Sequence, residues 1–166
     1  MVNVKKETKG SILVVRIMGS IEETVNFDQL LGAPHPEMEI NCKEIPRINS
    51  VGVKAWIKYF QSCQAKGSKI RFVECSTAIV EQINLISNFT CGGKVESITI
   101  PFFCTHCKEQ STSIYTIEQL TALAKTEQLT ALDKTDLFKD VKCTRCQCGL
   151  TFDDNFDTYL AAFFTK

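Results

Sequence analysis

Cys104-Thr-His-Cys107 and Cys143-Thr-Arg-Cys146 are two Cys-x-x-Cys pairs with 35 residues between them. Two intervening residues let a tight turn aim both sulfurs at one point, and two such turns supply the four thiolates of a tetrahedral zinc site. Four thiolates leave no position open for water, so the expected ion, Zn2+, is structural and not catalytic. A thioredoxin-like redox pair would instead need a Cys-x-x-Cys opening a helix beside a sheet. Two equally spaced pairs favour the metal. Cys148 lies two residues past Cys146 and is the less favoured substitute for it. His106, inside the first pair, and His35, in a loop, are read as exposed and not ligating.

The sequence around these pairs resembles a zinc ribbon, in which each knuckle leaves a short strand and the second is followed by a hairpin. Here that would be residues 150–152 with Asp153-Asp154-Asn155 as the turn. The spacer is longer than a ribbon needs, so a helical or linker segment of about 112–138 is inserted. It contains a tandem repeat: Glu118-Gln-Leu-Thr-Ala-Leu-Ala-Lys-Thr126 followed directly by Glu127-Gln-Leu-Thr-Ala-Leu-Asp-Lys-Thr135. In one straight helix the leucines of the second copy would face about 180° from those of the first. Leu120 and Leu123 are then expected to bury while Leu129 and Leu132 stay free. A duplicated linker is preferred to a partner-facing helix, because so short a repeat is below the roughly 20 residues of a stacking unit. Tyr159, Leu160, Phe163 and Phe164 are expected to form the buried edge of a closing helix.

The other cysteines offer less chemistry. Cys42, Cys63, Cys75 and Cys91 lack mutual spacing and are expected to be core fillers or surface thiols. A count of nine cysteines is odd, the start Met-Val-Asn-Val-Lys-Lys-Glu carries no apolar signal segment, and no run approaches the roughly 18 apolar residues of a membrane span. Reduced cysteines in a cytoplasmic protein with no membrane contact are therefore expected. With only two histidines in the chain, a histidine-based nucleophile mechanism has little material, and no catalysis is expected.

Basic and acidic residues balance at 19 each, so no overall field draws the chain to nucleic acid or an anionic membrane. Residues 101–166 carry seven basic against nine acidic side chains, whereas phosphate contacts call for a clustered positive face. A nucleic-acid-associated zinc ribbon protein is thus the second choice, and a thiol redox or metal-dependent enzyme the third.

These residues need elements to position them. At 166 residues and 44% hydrophobic, the chain can build one ordinary core and a small appendage. Residues 12–17 form a nearly continuous apolar run, and Met38, Ile40 and Cys42 alternate with Glu39 and Asn41, so both read as strands. Between them, Gly32, Pro34 and Pro36 make residues 26–36 a loop or a short broken helix. Val53, Trp56, Ile57, Phe60 and Cys63 share one helical face, with Ser50 as the expected N-cap and Gly67 as the stop. Residues 70–75 read as a strand, Ser76-Thr77 cap a helix bearing Ile79, Ile83 and Ile86, and residues 95–100 form a last strand before Pro101. Strands alternating with helices imply crossovers and a partly parallel sheet, so the class is α/β. No glycine-rich phosphate fingerprint follows any strand.

The order of these elements, together with Ile45-Pro-Arg-Ile-Asn-Ser-Val-Gly-Val-Lys-Ala-Trp56 at a strand-to-helix turn, resembles the STAS family of anti-sigma factor antagonists over residues 8–100. In that family the turn reads acidic, then two small hydroxyl residues, then glycine, and a partner kinase phosphorylates the hydroxyl before the glycine. Here Asn49 takes the acidic position, Ser50 the first hydroxyl, Val51 the phosphoacceptor position and Gly52 the glycine. Val51 has no hydroxyl; Ser50 could substitute as the phosphoacceptor, although a plain N-cap role is the preferred reading of it. The resemblance implies a STAS-like mixed sheet with helices packed on it over residues 1–100, followed by the zinc ribbon-like part over 101–166. It also implies a signalling module that docks on another protein, an anti-sigma or kinase-like regulator, through the turn of Asn49, Ser50, Val51 and Gly52.

Overall fold

Ile12–Met18 (β2) supplies the most apolar strand, and its Val15 and Ile17 are fully buried. Gly10, at φ 61°, turns the chain into β2 from Asn3–Lys9 (β1), which pairs antiparallel with it from Asn3↔Met18 to Lys9↔Ile12. The computed structural model describes residues 1–22, 24–126 and 137–164. β1 was not legible as a strand: Lys5, Lys6, Glu7 and Lys9 are exposed at the sheet edge and show no core alternation. Charge on an edge strand discourages pairing with other chains.

Glu37–Glu44 (β3), Lys69–Val73 (β4) and Lys94–Val95 (β5) join β2 in parallel, giving the order β1-β2-β3-β4-β5. The crossovers carry Phe27–Leu31 (α1), Ser50–Ala65 (α2) and Thr77–Leu85 (α3). Met38, Ile40 and Cys42 of β3 point into the core, as their alternation predicts, and Val53, Trp56, Phe60 and Cys63 meet them from α2. Trp56 stacks on Phe89 at 5.1 Å and on Phe72 at 5.6 Å, and its Nε1 donates to the Phe89 carbonyl at 3.1 Å. Burial of this large ring therefore leaves its one polar group satisfied. The interrupted stretch 26–36 holds the short α1, capped by Asn26 and ended at Gly32, whose carbonyl accepts from Tyr59 Oη at 3.1 Å. The α/β class is the one the sequence implies: a mixed sheet with helices packed on it.

A second sheet follows, built from Ser97–Phe103 (β6), Gln110–Thr116 (β7) and Thr151–Phe152 (β8) in the antiparallel order β7-β6-β8. The strand expected to stop before Pro101 runs through it to Phe103. The Pro101 carbonyl accepts from Asp153 N at 3.0 Å, so the proline nitrogen, which lies on the same side of the strand, faces β8 where that two-residue strand ends. No ladder bond is lost to β7, and the proline is tolerated.

The two sheets are joined by backbone. Cys75 bridges Ile98, with Cys75 N donating to Ser97 O at 3.0 Å and Thr99 N to Cys75 O at 2.8 Å. Ile98, Ile100 and Phe102 enter the same hydrophobic cluster as Val15 and Trp56.

Residues 110–116, partly inside the expected insertion, are strand, and Ile117–Thr126 (α4) carries the first repeat copy with Leu120 buried and Leu123 half-buried. The second copy, with Leu129 and Leu132, lies outside the described residues. The closing helix is two short pieces, Phe156–Tyr159 (α5) and Ala161–Phe164 (α6), with Tyr159 and Leu160 buried and Phe163 and Phe164 half-buried. Asn84 of α3 ties them down, its amide donating to Tyr159 O at 2.7 Å and its oxygen accepting from Ala162 N at 2.9 Å. The hairpin expected after residues 150–152 does not form, because Asn155 Oδ1 accepts from Thr158 N at 3.2 Å and starts α5 there. No helix among the described residues is long and apolar enough to cross a membrane.

Candidate metal centre

Cys104 and Cys107 lie in the loop between β6 and β7, so the first hairpin presents one knuckle at its tip. The second knuckle is closed by the Lys142↔Gly149 bridge. The two have the same backbone. Cys104 N donates to Glu109 O and Lys108 N to Cys104 O, both at 2.9 Å; Cys143 N donates to Cys148 O at 2.8 Å and Gln147 N to Cys143 O at 2.9 Å. The residue after each second cysteine takes a left-handed conformation, Lys108 at φ 60° and Gln147 at φ 61°. Neither is glycine, so each knuckle holds a conformation costing about 1–2 kcal/mol for an L-residue.

The four sulfurs converge with the knuckles facing in opposite senses. Cys104 Sγ lies 3.5 Å from Cys146 Sγ, and Cys107 Sγ lies 3.6 Å from Cys143 Sγ. All four are within 4.8 Å of one another, with Cys104 and Cys143 buried and Cys107 and Cys146 half-buried. Thiolates at about 2.3 Å from a tetrahedral zinc ion sit about 3.8 Å apart, so the donor set fits such an ion with small adjustment. No disulfide links any of the nine cysteines.

The electrostatics support the same fit. The backbone N–H of Cys107 holds the Cys104 thiol down to about 6, against the effect of desolvation. The N–H groups of Cys146 and Arg145 lower Cys143 in the same way. Cys107 is raised, first by desolvation and then by the Cys104 thiol. Cys146 is pushed up to about 12: the Cys148 N–H is the largest single influence and lowers it, but desolvation and the neighbouring thiols of Cys104, Cys143 and Cys148 together outweigh that donor. Sulfurs this close cannot all ionise unaided, and a central dication removes the conflict.

Cys148 is not one of the four converging sulfurs. Its carbonyl closes the second knuckle, the part played by Glu109 in the first. Its thiol instead lies with Cys146 and exposed His106. Sequence spacing gave no sign of that grouping, because His106 belongs to the other knuckle. Cys42, Cys63, Cys75 and Cys91 are all buried.

The turn at residues 49–52 lies at the other candidate surface. Asn49, and not Ser50, caps α2: its extended backbone at φ −95°, ψ 176° lets Oδ1 accept from Gly52 N at 2.8 Å. Ser50 is the first helical residue and is exposed. Val51 is 42% exposed, one of few large apolar side chains so exposed among the described residues. Gly52 is buried, and a Cβ there would strike the Ile21 carbonyl oxygen and stand 2.9 Å from Ile21 Cγ2. Asn49 N donates to Ile21 O at 3.1 Å and Ile21 N to Arg47 O at 2.9 Å, which clamps the head of α2 to the chain after β2.

No family model matches the chain, and no curated protein matches its sequence. Among solved structures it is similar to an anti-sigma factor antagonist from Mycobacterium paratuberculosis, at 19% identity over 57% of this chain and 86% of that one, with a TM-score of 0.45. It is also similar to the anti-sigma factor antagonist SpoIIAA in its unphosphorylated form, at 10% identity over 76% of this chain and 98% of that one, with a TM-score of 0.42. Both similarities are distant, and the functional reading rests on this chain's own residues.

Proposed function

We propose that this chain is a non-catalytic cytoplasmic regulatory module that binds another protein through the turn of Asn49, Ser50, Val51 and Gly52, and that Cys104, Cys107, Cys143 and Cys146 hold one structural zinc. Residues 1–100 form the partner-binding, STAS-like unit. Residues 101–166 form the zinc ribbon-like unit, joined to it through β6.

The observation that carries the docking surface is Val51, an apolar side chain held on solvent by a backbone fixed on both sides, by the Asn49 cap and by the Ile21 contact. A pre-ordered turn loses little conformational entropy when it docks. No acidic residue lies in the first turn of α2, and position 51 has no hydroxyl to phosphorylate, so its helix N-terminus keeps its positive end uncompensated. Docking on an anti-sigma or kinase-like partner is then independent of phosphorylation at position 51, and the exposed Ser50 is the remaining hydroxyl of the turn. Zinc is supported by the soft four-sulfur donor set, whose atoms all lie within 4.8 Å of one another.

The test is a pull-down from the source cell with wild-type and Val51→Asp baits, with retained proteins identified by mass spectrometry. A regulator retained by the wild type and lost with Val51→Asp supports the docking turn. The same proteins on both baits, at equal yield, contradict it.

A further inference from the structure

The knuckles bring a second set of donor atoms together beside the first. One ring nitrogen of His106, Cys146 Sγ and Cys148 Sγ all lie within 4.8 Å of one another. The pseudo-twofold relation between the knuckles explains why. Matching Cys104 to Cys143 makes Arg145 the counterpart of His106 and Cys148 the counterpart of Glu109. On one side the knuckles are tied by the Arg145–Glu109 ion pair. On the equivalent side an imidazole and a thiol face each other, and both are metal ligands.

Cys146 belongs to both groups, so its sulfur would bridge them. We infer that His106, Cys148 and bridging Cys146 hold a second dication of zinc-like softness, making the centre dinuclear. Four thiolates around one dication leave a net charge of about −2, which attracts a second cation, and a metal-bound thiolate keeps lone pairs that can reach it. One imidazole and two thiolates suit zinc and exclude magnesium or calcium. Three protein ligands leave one position to solvent, the pattern of an exchangeable site and not of a closed one. His106 is exposed and Cys148 half-buried, so the second ion enters from the surface and binds more weakly than the first.

This inference rests on the four-cysteine reading, and the two can fail separately. The experiment is a zinc titration of reduced, metal-free full-length chain against a chromophoric chelator, repeated with cobalt to read thiolate-to-metal bands. Wild type is expected to take two equivalents, the first tighter. His106→Gln and Cys148→Ser should each keep the first and lose the second, with the near-ultraviolet cobalt bands of the first intact. A wild type that saturates at one equivalent overturns the dinuclear centre alone. So do variants that both keep two; a Cys148→Ser variant that loses the first overturns the dinuclear centre and the assignment of the first ion to Cys104, Cys107, Cys143 and Cys146 together. A wild type that takes none overturns the four-cysteine site as well.

Discussion

At residue 49 a single side-chain oxygen decides where α2 begins. Asn49→Ala removes the acceptor for Gly52 N and is expected to cost about 1 kcal/mol in urea unfolding, whereas Ser50→Ala should be nearly silent. The sequence reading put the cap on Ser50, because both residue types cap helices and only the backbone angles distinguish neighbours. Gly52→Ala should cost more, about 1–3 kcal/mol, since its Cβ meets backbone that cannot move aside. Burial also sets a pH limit. Desolvation raises the thiols of Cys42, Cys63 and Cys91 above 9.0 and the phenols of Tyr59, Tyr115 and Tyr159 above 10.0. Each folded-state value lies above the unfolded one, so the stabilisation is complete below about pH 9 and is lost as the solution becomes more alkaline. Thermal melts from pH 7 to 11 are therefore expected to hold level and then fall above about pH 9; a midpoint that rises there would contradict the burial of these groups.

At the scale of elements, period and capping revealed what the core demands and missed what it does not. β2 was legible from its nearly continuous apolar run around Val15, and β3, α2 and α3 because the apolar residues around Ile40, Trp56 and Ile79 recur with the spacing of one buried face. β1 and β7 were not, since Lys5, Lys6, Ser111 and Thr112 face solvent and their strands exist through pairing with β2 and β6. Pro101 hid the continuation of β6 for the same reason: tolerance of a proline depends on which neighbour the nitrogen faces. The knuckles carry two left-handed residues, Lys108 and Gln147, and on the proposed zinc reading metal binding would offset that strain. Hydrogen exchange after chelation should show Lys108 and Gln147 amides losing protection while β2 to β4 amides keep theirs. Equal loss everywhere would mean that the metal holds the whole fold. Asn84→Ala, which cuts both ties to the C-terminal turns, is expected to cost about 1–3 kcal/mol and to expose Leu160.

For the molecule as a whole, one hydrophobic cluster runs from Val15 in the first sheet to Leu160 at the C-terminal end, so the sheet that carries the first cysteine knuckle and the helix that follows residues 49–52 share common packing. The four cysteines were readable from spacing because Cys-x-x-Cys dictates local sulfur geometry. Their convergence depends on how β6 and β8 bring residues 104 and 146 together across 42 positions, and spacing alone does not encode that. The pairing of His106 with Cys148 was hidden for the same reason, and although parts of β6 and β8 were readable as strands, their joining with β7 into one sheet across residue 100 was not. The most direct measurement is zinc content after exhaustive dialysis, on wild-type chain and on a Cys107→Ser, Cys143→Ser variant. One tightly held zinc per chain in the wild type and none in the variant is the predicted result; a metal-free wild type, or a variant that keeps its zinc, would contradict the four-cysteine centre.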